Sequence, residues 1–120
     1  MIIEKEILDY LISEDIEGIE ENIYCERPEE PPDEYVLIER TSGTSKDMVA
    51  QAMVAVQSIS TQSLYRAMIM DEAIVSAMRS LADSAAGVYG CHLNSHYNFT
   101  NTQTKEYRYQ AVFLINYQED

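Results

Sequence analysis

The stretch from Gln62 to Asp83 constrains this chain more than any other. Leu64, Ala67, Met68, Asp71, Ile74, Val75, Met78, Leu81 and Ala82 recur at the i, i+3, i+4, i+7 spacing that gathers side chains on one side of a helix, and only Asp71 breaks the apolar stripe. No Gly or Pro interrupts it. Ser60 and Thr61 stand where an N-cap oxygen would meet the first free N–H groups, and Gly87 follows as a stop signal. The segment predicts one helix of about six turns, roughly 31 Å long. Such a helix needs a sheet of matching size to cover its stripe. The β-branched, alternating stretches that can supply one lie on both sides of it, so two β-rich halves must pack on it together.

With 120 residues the chain has enough length for one core and one domain, residues 1–120. At 46% hydrophobic content it is expected to fold. No run of 18 apolar residues offers a membrane span. The opening Met1-Ile-Ile-Glu-Lys-Glu lacks the basic and apolar regions of a secretory signal, which points to a cytoplasmic origin. Cys25 and Cys91 then read as buried thiols rather than a disulfide. The net charge of -13 is concentrated in residues 1–40, which hold fourteen acids against three bases. Such a surface repels phosphate and argues against a duplex-binding face.

From Ile2 to Ile16, Ile3, Ile7, Tyr10 and Leu11, with Leu8 and Ile12 beside them, predict a first helix, and Glu4, Glu6 and Asp9 favour the positive end of its dipole. Gly18 ends it, and a short strand is expected around Ile23 to Cys25. The three prolines of Arg27-Pro-Glu-Glu-Pro-Pro-Asp-Glu cannot donate to a ladder, so this is a loop. Tyr35 to Thr41 is a strand, Thr41 to Asp47 reads as a polar hairpin tip around Gly43, and Met48 to Ser60 returns as a strand apolar on both faces. After the long helix, Val88 to Phe99 and Tyr107 to Tyr117 form a second hairpin. Tyr107, Tyr109, Ala111, Phe113, Ile115 and Tyr117 share one face of its last strand. The expected fold is α+β, in the order α-β-β-β-α-β-β, with a mainly antiparallel sheet of about four or five strands from two hairpins and two helices on one face.

Chemical constellations are scarce. On a strand, His92 and His96 would share one face and Cys91 would point to the other, so no three-ligand metal cluster assembles locally and no cofactor is expected. Thr41-Ser-Gly-Thr-Ser-Lys lacks the spacing of a phosphate loop and opens no helix. Glu20-Glu21 and Glu29-Glu30 lack a calcium-loop pattern, and Ser63, Ser76, Ser80 and Ser84 lack a nucleophile elbow. Asp71 reads either as solvated just off the stripe or as paired with Arg66, Arg108 or a neighbouring chain. No enzyme is indicated.

The opening helix, the strand ending in Tyr24-Cys25-Glu26, the loop Arg27-Pro-Glu-Glu-Pro-Pro, the strand Tyr35-Val-Leu-Ile-Glu-Arg-Thr with a glycine after it, the long helix and the hairpin closing on Tyr107-Arg-Tyr-Gln-Ala-Val together resemble the small tail terminator (tail completion) proteins of long-tailed bacteriophages and prophages. The most telling pieces are Glu39, Arg40, Thr41 and Gly43, and Tyr107 to Gln110. This resemblance implies a non-enzymatic virion protein. Its subunits would form a hexameric ring on the head-proximal end of the tail tube, stop its polymerisation and offer a docking surface to the head connector. Assembly would occur in the bacterial cytoplasm, with DNA passing through the channel without sequence-specific binding and no membrane involved. The sequence departs from many such proteins in its stronger N-terminal acidity.

Within that expectation, Glu29, Glu30, Asp33 and Glu34 are assigned to the channel or the docking surface, and Gly43, Thr44 and Lys46 to contacts with an adjacent subunit or the tube. Nine Tyr and six Met suit surfaces that pack on other chains. Two alternatives remain: another head–tail joining component, such as an adaptor or stopper, and an unrelated α+β ligand-binding module or small enzyme with a pocket built from Tyr97, Tyr107, Tyr109 and His96.

Overall fold

The computed structural model describes residues 1–119 of the chain. Its elements are α1 (Ile3–Ser13), β1 (Ile23–Tyr24), β2 (Glu34–Lys46), β3 (Val49–Ser60), α2 (Leu64–Met78), α3 (Leu81–Ser84), β4 (Val88–Asn98) and β5 (Tyr107–Gln118). The strands form one sheet in the order β1-β2-β3-β5-β4. Three pairs are antiparallel; the two-residue β1 joins β2 in parallel and makes the sheet mixed. The expected α+β architecture and element order are therefore present, with α3 as an additional short helix.

All three helices lie over one face. Ile3, Ile7, Tyr10 and Leu11 of α1 and Ala67, Met70, Ile74, Val75 and Met78 of α2 are buried. They meet Val36, Ile38, Val54, Val56, Ala111, Phe113 and Ile115, the alternating inward residues of β2, β3 and β5. The Tyr10 hydroxyl donates to the Ala77 carbonyl at 2.6 Å, tying α1 to the end of α2. Burial, with Glu14 beside it, pushes that phenol up to about 12.

The single long helix expected from Gln62 to Asp83 is divided. Ser63, not Ser60 or Thr61, is the N-cap, its Oγ accepting the Arg66 N–H at 3.0 Å. Ser60 Oγ instead accepts from the Gln62 and Ser63 N–H groups and donates to Glu34. After Met78 the Ser80 N–H bonds the Ala77 carbonyl at 3.2 Å. That tighter turn re-aims the chain so that α3 packs on β4. The stripe is also rotated: Met70 is 2% exposed and Met68 40%.

The largest revision concerns Thr41 to Lys46. These residues are not a connection but the second half of β2, paired from Ser42↔Met53 to Lys46↔Val49 beyond a bulge at Thr41. The turn is Asp47-Met48, with φ of 54° and 71°. Two consecutive left-handed residues are what a two-residue hairpin with matching strand twist requires. Gly43 sits in the ladder opposite Ala52 and supplies no turn. β2 therefore spans roughly 40 Å, twice what a six-residue strand would.

The face away from the helices carries a second set of contacts. Tyr35, Ala55 and Ile59 are buried there, outside the main core cluster, beside half-buried Leu37, Met53, Val112 and Leu114. Gln57 Nε2 donates to Gln110 Oε1 at 2.9 Å, and Gln110 Nε2 donates to the Tyr97 hydroxyl at 2.7 Å, a polar rung across β3, β5 and β4. Among the described residues, no strand pairs with the outer side of β4, nor with β2 beyond Leu37.

Candidate functional site

The sheet has two chemically unlike ends. At one end lie the start of β2, the finish of β3 and the β4–β5 turn, together with the acidic segment 25–33; at the other lie the Asp47-Met48 turn, Gly87 and the end of β5. The antiparallel register imposes this separation, since the β2–β3 and β4–β5 turns must leave opposite ends of the same sheet.

At the acidic end, Glu29, Glu30 and Asp33 are exposed, as an electrostatic surface requires. Glu34 is not part of it. It opens β2, and its carboxylate receives both Arg66 Nε and Nη2 at 3.0 Å, plus the Ser60 hydroxyl at 2.9 Å. This forked pair joins the first residue of β2 to the first turn of α2. Arg66 and Ser60 hold the Glu34 carboxyl below the usual carboxylate range. A lowered folded value means that the stabilisation is complete above the unfolded pKa and is lost as pH falls through the folded one. Arg66→Met is therefore expected to flatten the acid limb of the stability curve below about pH 4.5. Urea unfolding midpoints across pH 2.5 to 7 check this, and an unchanged acid limb would refute the pair's role.

A second anchor holds the acidic segment in place. Glu106 is 4% exposed, and its Oε2 accepts from the Tyr35 hydroxyl at 2.9 Å and from Arg27 Nη2 at 3.1 Å. Arg108 stands 3.7 Å from its other oxygen. Burial and the adjoining Glu106 charge push the Tyr35 phenol up to about 12. The Pro-rich segment is thus tied at Arg27 to the β4–β5 turn, while Glu29 and Glu30 project beyond the anchor.

At the opposite end, every residue of β2 from Glu39 to Lys46 is exposed. Gly43 and Thr44 line a groove of 520 Å³ with Met1, Arg40, Ala50 and Tyr117. Lys46 precedes the turn, where Met48 is 68% exposed and Val49 41%.

The structure also brings together residues that spacing had separated. An irregularity between Leu93 and Ser95 changes the parity of β4: His92 pairs with Leu114, but His96 pairs with Ala111 on the helix-covered face. The two histidines therefore lie on opposite faces, and it is His96 that shares a face with Cys91. His96 Nδ1 is 2.6 Å from Oδ2 of Asp71, which is 1% exposed and so is not solvated; its partner within the chain is neither Arg66 nor Arg108. Burial raises the Asp71 carboxyl and the His96 contact pulls it back. The pair sits in a cleft of 460 Å³ with Tyr65, Met68, Ile69, Glu72 and Tyr109. Of the expected pocket of Tyr97, Tyr107, Tyr109 and His96, only Tyr109 and His96 line it. Cys25 is exposed rather than buried, and Cys91 is half-buried with its thiol pushed up to about 11 by burial. Neither forms a disulfide.

No protein-family model and no curated protein matches this chain. Among solved structures, a chain of the virion of a native gene transfer agent particle matches with a TM-score of 0.53, covering 81% of this chain and 78% of that one at 15% identity. At that identity the likeness is one of fold, and it extends over most of both chains.

Proposed function

We propose that this chain is a non-enzymatic structural protein of a phage-like particle. Its subunits form a ring, a hexamer by the resemblance in its sequence, that caps the head-proximal end of the tail tube, ends tube growth and receives the head connector. The observation that carries this reading is the fold shared, over 81% of the chain, with a component of a gene transfer agent virion. The two unlike ends of the sheet support it. The Asp47-Met48 end, with Gly43, Thr44 and Lys46 on its stem, meets the adjacent subunit or the tube. The Glu29, Glu30 and Asp33 end faces the channel or the connector, where carboxylates repel passing DNA. Glu34, engaged by Arg66, positions this end rather than contacting a partner.

Deleting the gene from the parent phage or prophage tests the proposal. The expected result is filled heads alongside separate tails of uncontrolled length in electron micrographs. Unjoined tails of normal length would instead identify an adaptor or stopper of the same joint, and normal infectious particles would overturn both.

A further inference from the structure

We propose that Asp71, Glu72 and His96 form a zinc site at the seam between α2 and β4. One donor atom from each of the three residues lies within 4.8 Å of the others. The independent observation is the state of Asp71. Its side chain is 1% exposed, yet Oδ1 has no hydrogen-bond partner among the described residues. A buried carboxylate oxygen with no donor is costly, and a cation at the wall of the same cleft answers it.

The donor set decides which cation. Two carboxylates and an imidazole suit a borderline ion such as zinc; magnesium and calcium prefer oxygen donors throughout. The 2.6 Å contact between His96 Nδ1 and Asp71 Oδ2 is the distance of a shared proton. Zinc takes the place of that proton, which leaves to solvent while the other ring nitrogen stays protonated, and both Asp71 oxygens reach the ion, so that the orphaned Oδ1 gains a partner. Bonds of about 2.0–2.1 Å separate tetrahedral neighbours by roughly 3.3 Å, so the His96 and Asp71 donors need part by less than about 1 Å and the Glu72 donor close in by at most roughly 1.5 Å. Glu72 is exposed on the following helical position and supplies the third donor from the cleft side, with water completing the sphere. The site depends on the bulge in β4: without it His96 would face away from α2. The bound ion would clamp edge strand β4 to α2. This inference does not depend on the virion role.

Isothermal titration of the full chain with zinc chloride tests it, in a Cys25→Ser, Cys91→Ser background that removes thiol binding. One saturable site per chain is expected, weakened roughly 100-fold in Asp71→Asn and His96→Asn. Glu72→Gln, at an exposed position that leaves the fold intact, should weaken it at least tenfold. Zinc should shift the ring signals of His96 and spare those of His92 in NMR spectra, and calcium at equal concentration should not compete. Absence of a saturable site, equal affinity in Glu72→Gln, an unmoved His96 ring or equal competition by calcium would each overturn the assignment, the last by showing only general attraction to the acidic surface.

Discussion

Val75→Asp is expected to abolish the folded domain, whereas Met68→Asp, two helical turns earlier, should leave it folded. The helical periodicity treats the two positions as equivalent, seven residues apart on one stripe; the structure does not. Val75 is 4% exposed in the main core cluster, while Met68 is 40% exposed on the rim of the cleft. A carboxylate at Val75 would be buried beside Met78, Leu93 and Phe113, and although Arg79 lines the same cleft, taking the charge out of water costs several kcal/mol, out of the about 5–15 kcal/mol that hold a domain together. At Met68 the same group reaches water and should change stability by less than about 1 kcal/mol. Far-UV circular dichroism with urea unfolding separates the two. A folded Val75→Asp protein would contradict the packing of α2 on the sheet.

The second large effect concerns the two ends of the sheet. Lys46→Glu combined with Met48→Asp replaces exposed side chains only, so the subunit should fold normally and fail to assemble on tail tubes. Glu29→Lys with Glu30→Lys should do the reverse, leaving assembly intact while lowering infectivity at least tenfold through defective head joining or DNA passage. Sedimentation on tubes and complementation of a deletion measure the two outcomes. If the acidic-end variant abolishes assembly while the tip variant assembles normally, the assignment of the ends is wrong.

Most of the architecture was legible in the sequence because it depends on repeating patterns. The period-two face of Tyr107 to Tyr117 and the helical spacing of Ile3, Ile7, Tyr10 and Leu11 each survive local irregularity, since many residues vote for the same side. What could not be read depends on single residues acting against their usual habits. Gly43 is the stronger turn former, yet Asp47 and Met48 adopt positive φ and make the turn, because continuing the ladder pairs backbone groups that an early tip would leave unbonded. Likewise one extra residue in β4 puts His92 and His96 on opposite faces, and no pattern in Val88 to Asn98 marks where it falls. The Asp71–His96 contact joins positions 25 apart through that irregularity, so spacing alone could not suggest it.

The two unpaired borders of the sheet limit the symmetry open to an assembly that uses them. The outer side of β2 beyond Leu37 is polar and ends at Lys46, whereas β4 carries exposed Tyr89, Leu93 and Tyr97. Joining one kind of border to the other puts every subunit in the same orientation relative to the next, which excludes a two-fold dimer and leaves closed rings or open helices. The number of subunits is then fixed by an angle, the rotation per step, to which the twist of the sheet contributes. Sequence changes that alter that twist, such as removal of the Thr41 bulge, should change how many subunits close a ring before they change how tightly neighbours bind.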